Sequence, residues 1–341
     1  MRALLPIAIV LSSATAHAQL KLPEASPAAT AAQTVGITEI KVVYHRPATN
    51  GRPIWGQLVP YGEVWRAGAN ENTTVEFSSD VKIAGKPLRA GIYGLHMIPT
   101  SKDWTVIFST MSTAWGSFTY DEKEDAVRVT VTPRTETASE ERLSYRFDDV
   151  TDRKATLVMR WEKVAVPVSI EVDTPEIVMA SVRAQLRGQA GFRPDPLTQA
   201  ARYWLRNNGN LDEALKFADR AIERGGQYAP RMVRSQILEK KGNAAAATEE
   251  RNKAMAIATE NDFNQTAYGL INDKKLDDAI KLLQTATKRY PQSANLHDSL
   301  GEALAEKGDK PGARAAYSKA LALAKEPAER KRIEASIAKL K

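Results

Sequence analysis

The residues of this chain best suited to chemistry are gathered between Tyr44 and Phe77, in the run YHRPATNGRPIWGQLVPYGEVWRAGANENTTVEF. Arg46, Arg52 and Arg66 lie there among Trp55, Tyr61 and Trp65, with Asn70 and Glu71 close behind. Arg46 and Arg52 each precede a proline, which holds their backbone extended. A guanidinium beside an aromatic ring can take a carboxylate, a phosphate or a sugar hydroxyl. Two readings of Arg66 follow. It belongs to a ligand site, or it pairs internally with Glu71 and holds the segment closed. The run lacks both strand alternation and helical period over most of its length. It is predicted to be a long ordered loop, and such loops carry function or plug a core.

Three histidines lie beyond residue 18: His45, His96 and His297. A catalytic metal takes about three protein ligands. His45, His96 and Glu71 supply the types, but their spacing does not call for a metal. No metal and no cofactor are expected. An imidazole titrates near neutrality and suits a general base. A hydrolase or isomerase acting near Arg66, Glu71, His45 and His96 is therefore the alternative to a binding site. Trp115, Phe118 and Tyr120 add rings that serve equally as stacking platforms or as core. The candidate ligand-binding set is Arg46, Arg52, Tyr61, Trp65, Arg66, Asn70, Glu71, His96, Trp115 and Tyr120. The chain has no cysteine, no G-x-S-x-G, no phosphate-binding loop, no HExxH and no dinucleotide fingerprint.

The elements that must position these groups fall into two kinds. Between residues 37 and 173 apolar residues alternate: Val127, Val129, Val131; Leu143, Tyr145, Phe147; Leu157, Met159, Trp161; Val166, Val168, Ile170, Val172. With the earlier candidates 40–44, 73–77, 81–84, 92–98 and 104–109, and a hairpin turn at Ala84-Gly85-Lys86, this predicts eight or nine short strands. No helical period intervenes, so the expectation is an antiparallel β-sandwich, jelly-roll-like. From 174 to 341 the period becomes helical and repeats. Ala214, Ala247, Ala279 and Ala313 stand 33, 32 and 34 residues apart, each followed seven residues later by another alanine. Small residues at that spacing let paired helices approach closely. The pattern resembles the tetratricopeptide repeat. It implies an α-solenoid of about four helical hairpins with a capping helix over 326–340. The fold class is thus α+β in separate domains.

In that repeat register the groove-facing positions are Gln199, Tyr203, Arg206, Asn207, Met232, Gln236, Lys240, Asn264, Tyr268 and Asn272. Amides offer donor and acceptor to the main chain of an extended peptide, and tyrosine adds apolar area with a polar tip. The alternative is a solvated groove that binds nothing. A protein or peptide partner is the expectation for the repeats.

Residues 1–18 read as a secretory signal: Arg2, an apolar run from Ala3 to Leu11, and Ala16-His17-Ala18 as the cleavage site. The run is too short for a spanning helix, which needs about 20 residues. The Ala/Pro/Thr-rich stretch 19–36 is expected to be a flexible leader. A periplasmic or secreted protein without cysteine must stand on its hydrophobic cores. The formal charge of +7 divides into +1 over 1–37, −2 over 38–173 and +8 over 174–341. Basic residues are interspersed with acids, which argues against a nucleic-acid stripe.

The run from Tyr44 to Phe77, followed by IAGKPLRAGIYGLHMIP, DWTVIFS and WGSFTYDEKEDAVRVTVTP, resembles the bacterial exported family known as domain of unknown function 2911, over about 37–172. The family's motifs fall on Arg46-Pro47, Gly51-Arg52, Tyr61-Gly62, Trp65-Arg66, Gly68, Asn70-Glu71 and Thr73. The resemblance implies an exported β-domain, sometimes followed by helical repeats, with no established activity. In the family a small residue, often Ser, precedes the first Arg-Pro. Here it is His45, which counts against a shared catalytic role for that histidine.

Taken together, these features favour an exported binding or interaction protein. A small polar, carbohydrate-like or peptide ligand would sit on the β-domain and a protein segment on the repeats. The third possibility is a purely structural β-domain. Mass spectrometry of the exported chain is expected to find Gln19 at its N-terminus; an intact Met1 in that material would refute the cleavage site.

Overall fold

In the computed structural model, which describes residues 22–340, the strands of the first unit build two antiparallel sheets. The expected signal segment lies outside the described residues. The strands are β1 (Ala28–Val35), β2 (Thr38–His45), β3 (Thr74–Phe77), β4 (Val81–Ile83), β5 (Lys86–Leu88), β6 (Gly91–Ile98), β7 (Trp104–Ser109), β8 (Asp125–Val131), β9 (Arg134–Asp148) and β10 (Lys154–Glu171). One sheet runs β1-β2-β3-β6-β7-β8 and the other β5-β4-β10-β9. Their inner faces share one core. Ile40 and Val42, then Leu95, Val106 and Phe108, come from the first sheet; Leu143, Met159, Trp161, Val168 and Ile170 come from the second. Fully burying each such side chain stabilises by about 1.5–3 kcal/mol.

Two expectations are corrected. Residues 28–35 are not a flexible leader but β1, paired along its whole length with β2 from Ala28↔His45 to Val35↔Thr38. Gly36, at a φ of +61°, turns the chain between them. Ala29 and Ala31 pack against the core, so small residues suffice at this sheet edge. The two runs read as separate strands, 157–161 and 166–172, are one strand, β10. Glu162 adopts a φ of +54°, and the pairing with β9 shifts register on both sides of it. A bulge of this kind adds one residue and exchanges the strand's two faces. That is why the inward set passes from odd numbers (Leu157, Met159, Trp161) to even ones (Val166, Val168, Ile170).

The second unit is helical: α1 (Thr174–Gln185), α2 (Pro194–Arg206), α3 (Leu211–Glu223), α4 (Tyr228–Lys240), α5 (Ala244–Ile257), α6 (Glu260–Asn272), α7 (Leu276–Arg289), α8 (Ala294–Lys307), α9 (Lys310–Leu323) and α10 (Pro327–Ala338). The division between the units falls between Val178 and Met179, inside α1 rather than at its start. The pairs α2–α3, α4–α5, α6–α7 and α8–α9 are the repeats. Asn210, Asn243 and Asp309 cap the second helix of their pairs, and Thr259 and Ser293 the first helix of theirs. Each cap satisfies backbone N–H groups that have no partner within the helix. Ala214, Ala247, Ala279 and Ala313, with Ala221, Ala254, Ala286 and Ala320, are all buried.

Two glycines of these helices have opposite surroundings. A Cβ on Gly301 would lie 2.6 Å from the Tyr317 ring, whereas one on Gly269 would meet nothing within 4 Å. Gly269→Ala is expected to gain up to about 1 kcal/mol from helix propensity alone. Gly301→Val is expected to lose on the order of 1–3 kcal/mol by overpacking. Denaturant melts of the two variants check the signs.

Candidate functional site

The segment between β2 and β3 is pinned strand by strand. Trp65 exchanges two backbone hydrogen bonds with Met97, both 2.8 Å. Its ring turns inward to stack on Trp161 at 5.9 Å and meet Trp55 edge-on at 5.7 Å; Trp55 also meets Trp104 at 4.7 Å. Alternation then sends Arg66 to the other side. Ala67, fully buried, has a φ of +51°, a conformation costly for a residue with a Cβ. Its carbonyl accepts hydrogen bonds from the Thr73 hydroxyl at 3.1 Å and the Tyr145 phenol at 2.8 Å. Those two bonds hold the turn.

Arg66 and Glu71 do not pair, which corrects the internal ion-pair reading. Asn70, at a φ of +56°, turns the chain again, and Glu71 lies over His45. The His45 Nε2 stands 3.3 Å from Glu71 and 3.5 Å from Glu24. Asn70 donates to Glu24 at 3.1 Å and to the Ser26 carbonyl at 3.4 Å. This cluster ties residues 24–26 to the turn at 70–71. Arg46 donates from Nε to the Leu143 carbonyl at 3.0 Å, and Arg52 to the Thr49 and Ala48 carbonyls at 2.9 and 2.7 Å. In both, the Nε–H is taken up by backbone. Tyr61 is exposed, its ring over Gly56.

The structure does bring together Arg66, His96, Trp115 and Tyr120, on the outer face of the six-stranded sheet. Residues 110–124 form a loop closed at its neck, where Thr110 donates from backbone and hydroxyl to the Glu124 carbonyl at 2.8 and 3.0 Å. Closed loops of this size are often functional. Three anchors hold it. Asn72 donates from its backbone to the Ala114 carbonyl at 3.4 Å and from its amide to Met111 at 3.5 Å. His96 Nδ1 and the Ser117 hydroxyl are 2.9 Å apart. The Tyr120 phenol donates to Asp125 at 2.7 Å, and Arg128 contacts the same carboxylate at 3.2 Å. Gly94 makes room beneath: a Cβ there would lie 2.5 Å from the Met111 carbonyl. Trp115 and Phe118 project from the tip, stacked at 5.9 Å and 16° between planes. The Arg66 guanidinium carbon lies 5.8 Å from the Trp115 ring centre.

Burial sets the protonation of this site. It lowers the pKa of His96 from 6.5 to about 4, so the ring is neutral at pH 7. Burial, more than its partners, raises Asp125, and burial and the bond to Asp125 raise Tyr120 well above the phenol range. Desolvation lowers Arg66. Asn72, Ser117 and Asp125 escaped the sequence reading. Asn72 carried a signal, standing next to Glu71 within the motif run; Ser117 carried none. Among the described residues no group of three or more His, Cys, Asp or Glu is placed to hold a metal ion.

In the repeats, part of the expected groove set is consumed by the fold. Lys240 donates to the Leu205 carbonyl and Asn208 at 3.2 and 2.9 Å. Asn264 accepts from Ser299 at 2.6 Å, and Tyr268 donates to Glu302 at 2.7 Å. Asn207 donates to the Tyr203 carbonyl, one turn back, at 3.0 Å. Gln199, Arg206, Gln236 and Asn272 remain exposed, and Met232 is half-buried. Gln199 and half-buried Tyr203 line a cavity of about 210 Å³ with Val182, Leu186, Ala190 and Ala200.

Residues 26–170 match the model of a family described as protein of unknown function (DUF2911), and residues 267–327 match a tetratricopeptide repeat model. The order is that of the resemblance: a β-rich domain of unknown function, then tetratricopeptide repeats, which suggest protein–protein interaction. No curated protein matches the chain. Among solved structures, the chain is similar to pilF of Pseudomonas aeruginosa (19% identity over 43% of this chain and 67% of that one, TM-score 0.27). It is also similar to YrrB, a tetratricopeptide protein with an unusual peptide-binding site (17% identity, 42% and 74% covered, TM-score 0.27). A third is MamA of Desulfovibrio magneticus RS-1 (19% identity, 44% and 86% covered, TM-score 0.26). No described helix is long and apolar enough to cross a membrane.

The His96 shift has a sign in stability. Between pH 6.5 and about 4 the unfolded chain binds a proton that the buried ring refuses. Stability therefore falls as pH drops through that window, by about 3 kcal/mol in total, and is fully present above it. Relative to His96→Gln, the wild type is expected to lose that increment between pH 7 and pH 4 in tryptophan-monitored denaturant melts. Parallel pH profiles would contradict the assignment.

Proposed function

We propose that the protein is an exported binding protein. The β unit takes a small polar, carbohydrate-like or peptide ligand on the outer face of its six-stranded sheet, and the repeats take a protein segment. The observation that carries the first half is the exposure of Trp115 and Phe118, at 63% and 80%. A stacked pair of rings left in water forgoes burial worth about 1.5–3 kcal/mol for each ring. The other tryptophans of this unit pack on or within the core. Rings held out on an anchored loop are a surface for a partner. For the repeats the support is the family match and the exposed amides Gln199, Gln236 and Asn272. For export to the periplasm or beyond, it is the Arg2, apolar-run and Ala16-His17-Ala18 pattern.

One observation favours a second reading, acid–base catalysis by a hydrolase or isomerase: Glu71 and Glu24 both approach the Nε2 of His45. A carboxylate can orient an imidazole base. Loss of turnover on a panel of chromogenic esters and glycosides in His45→Gln would support it; no turnover by the wild type would end it.

The binding reading is tested by titrating the full mature chain with mono- and oligosaccharides and short peptides under tryptophan fluorescence. A saturable response is expected in the wild type and its loss in Trp115→Ala/Phe118→Ala, with stability within about 0.5 kcal/mol because both rings are exposed. An unchanged response in that variant would remove the Trp115–Phe118 pair from consideration. On an array of unstructured peptides, Gln199→Ala/Gln236→Ala/Asn272→Ala is expected to weaken capture at least about tenfold. Equal capture would leave the groove without a role.

A further inference from the structure

Arg66 is a half-buried guanidinium of the β unit with neither a carboxylate nor a carbonyl against it among the described residues. Its Nε is buried with no hydrogen-bond partner, and among the described residues no carboxylate pairs with it. Several other arginines of this unit are answered. Arg46 and Arg52 hold carbonyls; Arg128 pairs with Asp125 and Glu122, Arg146 with Asp148, and Arg160 with Glu136. A desolvated cation with an unmade hydrogen bond costs the empty protein stability that an incoming anion restores. The strained turn at Ala67, held by Thr73 and Tyr145, keeps the side chain in that position.

The surroundings narrow the anion. The guanidinium lies beside the Trp115 ring and against Gly116, where a Cβ would stand 2.9 Å from Nη1. Phe118 stacks on Trp115, the two planes 16° apart, and borders the same position, where that Cβ would stand 3.1 Å from its ring. The cation thus lies beside an exposed apolar ledge made by the stacked pair. One guanidinium balances one negative charge, and its planar fork matches a carboxylate with two parallel hydrogen bonds. The ledge matches the face of a ring, through stacking or through sugar C–H groups. We propose that this site binds a carboxylate borne on a ring, the carboxylate on Arg66 and the ring on Trp115 and Phe118. The inference rests on the reading of the ledge as a binding surface and adds the class of ligand. Two sources carry this chemistry, sugar acids and aromatic acids.

The test is calorimetric titration of the full mature chain with D-glucuronate, benzoate, D-glucose and inorganic phosphate, on the wild type, Arg66→Gln, Arg66→Lys, Phe118→Ala and Trp115→Ala. Glucuronate or benzoate is expected to bind the wild type, and whichever does names the source. Glucose and phosphate are expected to bind at least about tenfold more weakly, since each satisfies only one half of the site. Arg66→Gln is expected to weaken the acid at least about tenfold while its unliganded melting temperature stays level or rises. Arg66→Lys keeps the charge without the fork and should fall between the two. Phe118→Ala should weaken binding with no change in melting. Equal acid binding by Arg66→Gln overturns the proposal. So does a lowered melting temperature in both Arg66 variants, which would give the guanidinium an internal structural role. Phosphate binding tighter than either acid overturns the choice of carboxylate. Glucose binding as tightly as glucuronate, and lost in Trp115→Ala, leaves the ledge as a binding surface and removes the carboxylate. No binding by any of the four probes removes both.

Discussion

One backbone carbonyl does much of the organising in the β unit. Ala67 holds a left-handed turn, and its oxygen accepts from Thr73 on one side and Tyr145 on the other. Thr73 belongs to the same segment; Tyr145 comes from β9 of the opposite sheet. The bond therefore ties a loop of one sheet to a strand of the other through the core. With the carbonyl fixed, Trp65 is committed to the tryptophan cluster and Arg66 to the outer face. The closed loop at 110–124 then packs against what that turn presents. Buried polar groups are costly when unpaired and rigid when paired, and here the pairing decides which way a run of aromatic and charged residues faces.

The sequence was most legible where physical periods were simple. Alternation marked most of the strands, and alanines about 33 residues apart marked the repeats, because both patterns report which faces are buried. It misled where a local device interrupts the period. The change from odd to even inward positions between Trp161 and Val166 was visible, but a bulge residue such as Glu162 leaves no composition signal. The stretch 28–35 looked like a leader because alanine and threonine are shared by linkers and by sheet edges; only pairing with β2 separates them. The Arg66–Glu71 proximity in sequence suggested a pair. Two left-handed residues between them, Ala67 and Asn70, send the side chains apart. Of the candidate site, Arg66, His96, Trp115 and Tyr120 were identifiable by type. Their common loop was not, because Asn72, Ser117 and Asp125 join segments far apart in the chain.

The helical unit shows a related economy. Its polar inner positions looked like a set of peptide ligands, and several proved to be fasteners between successive repeats. Tyr268 reaches Glu302, Asn264 reaches Ser299, Lys240 reaches Asn208, and at the far end Arg332 of α10 reaches the buried Asp298 of α8 at 2.7 Å. A solenoid has only nearest-neighbour contacts to resist bending. Amides and tyrosines used between neighbours fasten one repeat to the next and are spent on the fold.

The strand order also has a temporal consequence. The β4–β5 hairpin joins a larger sheet only when Ile83 meets Ile170 in β10, while the six-stranded sheet is complete by Val131. A chain made from its N-terminus presents one whole inner face, with Val42, Leu95 and Phe108, before β9 and β10 exist to cover it. Leu157, Met159, Trp161 and Ile170 all arrive with the last strand. Contacts so distant in sequence form slowly, and an uncovered sheet adheres to whatever is near. Under the export proposed above, a sandwich that cannot close until its final strand emerges would stay threadable until transit is nearly done, with its first sheet uncovered in that interval.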